Sequence, residues 1–464
     1  MSLTTSRFVP VVLCAGLLAG CAGGGAAVTR PAASVVPPAS TGTGTGPPPL
    51  GGAKRRTPKG IGSCSTPGSG SFNGVPGNSN VAGGNDSVVA GGSTNQACDN
   101  DAAITGGYNN VIASGGNKAI YSFIGGGYQN EIYATAAYSA IVSGYGNVVD
   151  ASNGNSAIVG GGAFNTASSA GAAIFGGTNN NGSGFVSAIV GGEYNTASDD
   201  GTFVGGGEYV TASGLYAADA GGIHNSASGE GSYIGGGGYN TASAEGAIVD
   251  GGFNSTASGT YSTIPGGYRD SAAGTYSFAA GAYASAAQTG TFVWSDGSNG
   301  STALTSSHAY QFIARASGGF ALYTNAGATV GAQLAAGSGT WASLSDRNAK
   351  TNIVPLDEDA VLAKIAALPI SRWSYRTEHG VRHAGPMAQD FYAAFGLGAD
   401  DKHITSIDED GIALAAIKAL HAENATLRAQ QRASARRDRA LQSQVATLRA
   451  EMSELRGEVA ALRR

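Results

Sequence analysis

From Ile158 onward the pair Gly-Gly returns every fifteen residues, at 161, 176, 191, 206, 221, 236, 251 and 266, with Gly281 alone in the next place. No other feature of the chain restricts its fold as strongly. Fifteen residues are too few for a self-standing unit, yet enough for one turn of a β-solenoid with two short strands and two tight corners. Four residues after the first glycine of each pair comes a mostly polar position: Asn165, Asn180, Asn195, Val210, Asn225, Asn240, Ser255, Asp270. Two residues before the pair comes a mostly aliphatic one: Val159, Ile174, Ile189, Val204, Asp219, Ile234, Val249, Ile264. In a solenoid the aliphatic side chain points inward and glycines take the corner conformations. Asn is then placed to bond turn backbone or its stacked neighbour. Coils stacked at about 4.8 Å give nine regular turns a length of about 40 Å. From Phe72 to Asp150 similar elements recur at looser spacing and read as earlier, irregular coils.

Composition agrees with a repeat and excludes some functions. The chain holds 76 glycines and only 12% charged residues, against about 25% in ordinary globular domains. Between Gly62 and Ala287 fourteen acids face only Lys118 and Arg269. That anionic shaft argues against nucleic-acid binding, which needs a basic stripe. Calcium-binding β-rolls require an Asp in phase with the repeat, whereas Asp199, Glu208 and Asp219 keep no phase. No metal and no cofactor is expected, and nothing favours the paired carboxylates of a glycosidase. His224 stands at a position often aromatic and is expected to face solvent. One aliphatic residue and a few alanines per coil make a thin core, a physical reason to expect several chains side by side.

The N-terminus reads as an export signal. Arg7 precedes an apolar run from Phe8 to Leu18 that is too short for a stable membrane span. The run ends in Leu18-Ala19-Gly20-Cys21, which resembles the lipobox of bacterial lipoproteins and implies lipidation of Cys21. Ordinary signal cleavage with Cys21 incidental is the alternative. From Ala22 to about Gly60 a Pro/Gly/Thr-rich stretch with the basic cluster Lys54-Arg55-Arg56 reads as a disordered tether. Cys64 and Cys98 remain, free to pair in an oxidising compartment.

The unit Gly191-Gly192-Glu193-Tyr194-Asn195-Thr196-Ala197-Ser198 resembles the head repeats of trimeric autotransporter adhesins. That resemblance implies a left-handed parallel β-roll wound as a homotrimer. The membrane β-barrel that ends those adhesins has no counterpart here, which fits anchoring by a lipid at the other end.

Past Gly290 the repeat is lost. Phe292-Val293-Trp294, Gln311 to Arg315 and Gly319 to Tyr323 read as strands of a small β neck. Then comes Ser345-Asp346-Arg347-Asn348-Ala349-Lys350, where composition, charge and periodicity change together. By spacing alone this is a Ser-Asp turn and helix cap beside an exposed lysine. The nonapeptide from Ser345 to Ile353, however, resembles the opening of the intramolecular chaperone domain of phage endosialidases and tail fibres, with relatives in the myelin regulatory factor. Leu362 to Leu368 followed by Trp373-Ser374-Tyr375, then Gly385 to Asp390, then Ile407 to Leu420 match its later motifs in order. The resemblance implies a domain that trimerises, guides folding of the fibre ahead of it and cuts itself off. By that pattern Ser345 is the nucleophile, Lys350 the base, and Leu344–Ser345 the scissile bond. A serine needs a nearby base, and lysine serves when burial or crowding removes its charge. Asp346 and Arg347 would hold the loop, while His383 either orients the site or simply packs.

With Ile417 at position a, a heptad runs through Leu420, Asn424, Leu427, Gln431, Ser434, Asp438, Leu441, Val445, Leu448, Met452, Leu455, Val459 and Leu462. The 3-4 spacing never slips, which predicts a coiled coil. Val at a with Leu at d favours two strands, whereas both resemblances imply three.

The expected fold class is mostly β, a parallel β-roll shaft followed by a small α+β chaperone domain and a long coiled-coil helix. Its parts are a signal (1–21), a tether (22–61), the shaft (62–289), the neck (290–344), the self-processing domain (345–412) and the coiled coil (413–464). The expected protein is an exported, lipid-anchored trimeric fibre or adhesin at the outer membrane or cell surface. Its shaft offers a surface to a host-cell or glycan ligand. Its one enzymatic act is cleavage of its own chain by a Ser/Lys dyad. The alternatives are a non-cleaving trimerisation cap on a structural lipoprotein, and a phage-derived receptor- or glycan-binding tail fibre.

Overall fold

The computed structural model describes residues 64, 68–69, 71–73, 79–112, 118–133, 135–151 and 155–463. The expected signal, Cys21 and the tether lie outside them. The first part of the described chain is a parallel β-solenoid of about 14 turns. Each regular turn contributes one two-residue strand to each of two long sheets. Sheet A, with 17 strands, runs through Ala173–Ile174, Ala188–Ile189 and Phe203–Val204. Sheet B, with 15 strands, runs through Thr166–Ala167, Asn181–Gly182 and Thr196–Ala197. Ile174 pairs with Ile189 and Ile189 with Val204, so the sequence repeat is the sheet register. A third side carries single parallel bridges, such as Thr178 to Glu193 and Glu193 to Glu208.

Strand alternation sorts the side chains. In the regular coils the inward residue of the sheet A strand, such as Ile174, Ile189 and Ile234, and that of the sheet B strand, such as Ala197, Ala212 and Ala227, are buried completely. Beside them runs a column of buried asparagines. Asn195 shows the rule. Its backbone N–H donates to Asn180 Oδ1 at 3.0 Å, and its Nδ2 donates to the Gly191 and Gly207 carbonyls at 2.9 Å each. One side chain thereby satisfies corner groups of its own coil and of the next, where water cannot reach.

The column also explains the looser spacing upstream. Successive asparagines there are separated by 20, 17 and 18 residues (Asn110 to Asn130, Asn130 to Asn147, Asn147 to Asn165), yet the same N–H to Oδ1 bond of 3.0 Å joins each pair. Extra residues change a coil's length while its register holds. Cys64 and Cys98, 34 residues apart, are joined by a disulfide near the start of the stack.

Glycine is not the only residue at the corners. Tyr194, Tyr209, His224 and Tyr239 sit in the left-handed region at φ between +54° and +57°, which costs a side-chain-bearing residue about 1–3 kcal/mol and persists only where the surroundings enforce it. Here each N–H is bound to a neighbouring coil, as Tyr194 N to Thr178 O at 3.0 Å. The rings stack outside the rod with centroids 4.8 to 4.9 Å apart. His224 therefore faces solvent, as expected, but as one rung of an aromatic ladder. At Gly192, φ is +86° and an added Cβ would lie 2.2 Å from the Gly207 carbonyl oxygen, so the close approach of coils demands glycine.

Parallel pairing outlasts the fifteen-residue rhythm. Phe278, Phe292 and Phe312 stand in register on Phe278–Ala282, Phe292–Asp296 and Phe312–Arg315. A three-stranded antiparallel sheet follows, made of Gly319–Tyr323, Gly331–Ala335 and Trp341–Ser343. The remainder is a small α/β region: helix α1 (Glu358–Ala367), a hairpin of Ser371–Trp373 with His383–Gly385, α2 (Ala388–Phe395) and α3 (Ser406–Ala461). Val361, Leu368, Phe391, Ile412, Ala415 and Ala416 form its core.

Candidate active site

The site lies where the antiparallel sheet hands the chain to the α/β region. Leu344 is still tied to the sheet, its N–H donating to the Gly331 carbonyl at 3.0 Å. Ser345 follows, and Asp346 caps a single 3-10 turn, Arg347–Ala349. Its Oδ1 accepts from Asn348 N at 2.9 Å and Asn348 Nδ2 at 3.1 Å. Asp is well suited there, because a short carboxylate satisfies the free amides of a helical start. The turn closes with Lys350 N donating to the Arg347 carbonyl at 3.2 Å. This doubling-back brings Lys350 Nζ to Ser345 Oγ at 2.5 Å. An alcohol and an amine five residues apart are thus in direct contact, with the Leu344 carbonyl one bond from the serine nitrogen. Both side chains are exposed in the single chain.

The elements that follow the turn are fixed by caps and a brace of their own. Asp357 caps α1 through Ala360 N at 3.0 Å. Thr405 Oγ1 caps α3 through Asp408 N at 3.2 Å and donates back to Asp408 Oδ2 at 2.8 Å. Lys418 on α3 is bonded to Glu358 at the start of α1, a brace across sixty residues of chain that no local pattern announces. His383 lies in an aromatic cluster, its ring 4.6 Å from Trp373 and 5.7 Å from Tyr375, with Nε2 2.8 Å from Glu378 Oε2. Its hydrogen bond is to Glu378, so the packed, hydrogen-bonded role is the one observed.

The heptad residues of α3 form a stripe open to solvent. Ile417, Leu427, Leu441, Leu448, Leu455 and Leu462 are all exposed, although a helix ordinarily buries its apolar face.

Residues 345–396 match the family of peptidases described as chaperone of endosialidase. The match starts at Ser345 and takes in the 3-10 turn, α1, the hairpin and α2. No curated protein matches the chain.

Proposed function

We propose that the chain is an exported, lipid-anchored trimeric fibre whose C-terminal module aligns three copies and then severs itself before Ser345. The contact between Lys350 Nζ and Ser345 Oγ carries this reading, because it sets beside the hydroxyl an amine that, once uncharged, would serve as the base a serine nucleophile needs. The chemistry follows from the hydroxyl's place just after the bond. Oγ attacks the Leu344 carbonyl carbon, an ester forms as the C–N bond breaks, and Lys350 passes the hydroxyl proton to the departing nitrogen. Water then hydrolyses the ester.

The base must be uncharged, and burial favours the uncharged amine. Neighbouring copies closing around the exposed turn would provide that burial, so cleavage would wait on assembly. The exposed seam of α3 supports such an assembly. A solenoid of near-identical coils gains from it, since like rods can meet one coil out of step at little cost. Three chains aligned at one end do not. The lipid on Cys21 would hold the other end to the outer membrane or cell surface, leaving the shaft to meet a host-cell or glycan ligand.

Denaturing electrophoresis and N-terminal sequencing test this directly. Wild-type protein yields a fragment starting at Ser345, while Ser345→Ala and Lys350→Ala each lower its yield at least about a hundredfold, the usual scale for a lost acid–base group. A full-length wild-type product would favour the non-cleaving cap instead.

A further inference from the structure

The two sheets of the solenoid present opposite chemistry to the outside. The outward residue of each two-residue sheet A strand is apolar in nearly every coil, including Phe123, Ile158, Ala188, Phe203 and Tyr233, and is nowhere charged. On sheet B the same place holds a hydroxyl or amide from Thr166 onward, as at Asn181, Thr196, Thr211 and Ser226. Apart from Glu131 in the outward place of an upstream sheet B strand and Asp296 at the end of Phe292–Asp296 in sheet A, the outward carboxylates lie elsewhere. Glu193 and Glu208 stand on the bridge side, and Asp199, Asp200, Glu230 and Glu245 fall outside the strands. Only Asp250 follows a sheet A strand directly.

We infer that the outer face of sheet A is where copies of this chain meet along the shaft. The inference rests on the parallel assembly proposed above. In a parallel homo-oligomer like residues face like at every level, so a face bearing Glu193 or Glu208 would set carboxylate against carboxylate. Every copy carries the same fourteen-to-two excess of acids between Gly62 and Ala287. Sheet B is also uncharged in its outward places from Thr166 onward, but only on sheet A are those places both uncharged and apolar, so rods that close there bury hydrocarbon and oppose no charge at those positions. About fifteen strands spaced at about 4.8 Å, each of two residues and so about 7 Å wide, offer on the order of 500 Å² per chain, more than half of the roughly 800 Å² per partner of a standard interface. The stacked Phe278, Phe292 and Phe312 rings, 4.6 and 4.7 Å apart, continue the face to the last coils.

Site-specific cross-linking of the full chain tests the face. A cysteine is placed either on sheet A (Ala188→Cys) or at the matching level of sheet B (Thr196→Cys), leaving the Cys64–Cys98 disulfide intact. Each protein is treated with a short bis-maleimide, and light scattering gives the number of chains. Ala188→Cys should be trapped as covalent dimers, and Thr196→Cys should not. A three-chain particle that links at 196, at both positions or at neither overturns the assigned face while leaving the assembly standing. A single-chain particle overturns both.

Discussion

Single residues decide where this shaft departs from its own rule. Asp219 occupies the inward place that holds Val or Ile in neighbouring coils, and it is fully buried. Burial pushes its carboxyl up to about 7, against the opposing pull of the Gly221 N–H and Asn225. Burial likewise raises Asp270 and Glu131 to about 6. An acid raised in the folded state binds protons there that the unfolded chain, titrating near 4, has released. Folded stability therefore falls as pH rises from about 4 to about 7. The thermal midpoint should be higher at pH 5 than at pH 8, and Asp219→Asn should narrow that gap. A midpoint that climbs with pH would contradict the assignment. In sequence Asp219 appears only as a lapse in an aliphatic column; its burial is visible because Val204 and Ile234 pin the register on either side. The Lys350–Ser345 contact was legible in part. The resemblance to the chaperone family singled out the two groups, which spacing alone would not have done, and the Asp346-capped turn is what brings them together.

At the scale of the element, the coil is held by its asparagine as much as by its aliphatic residue. Asn195→Ala would strand the Val210 N–H and weaken the bonding of the Gly191 and Gly207 carbonyls. Each unmet buried group costs about 1–3 kcal/mol, so the shaft's thermal midpoint should fall by several degrees. Thr196→Ala, on the outer face of sheet B, should leave it nearly unchanged. Equal effects in a melting experiment would refute the column's role. The solenoid was readable because a fixed period survives in the sequence, and α3 because its heptad never slips. The aromatic ladder and the run of pairing to Phe312 were not. The first depends on Tyr194 and its neighbours taking left-handed backbone enforced by adjacent coils, and the second on strands that pair across loops of unequal length. The brace from Lys418 to Glu358 joins elements too distant for any local signal.

For the whole molecule, assembly would be the trigger of the proposed chemistry: the exposed seam of α3 would bring copies together, and their approach would bury the turn at Ser345. Native mass spectrometry of the full chain beside a variant with the seam broken (Leu448→Asp with Leu455→Asp) tests that link most directly. The wild type should appear as three chains with a covalent break before Ser345, and the variant as a single uncut chain. A variant cut efficiently while monomeric, or a trimeric wild type with no break, would contradict the account.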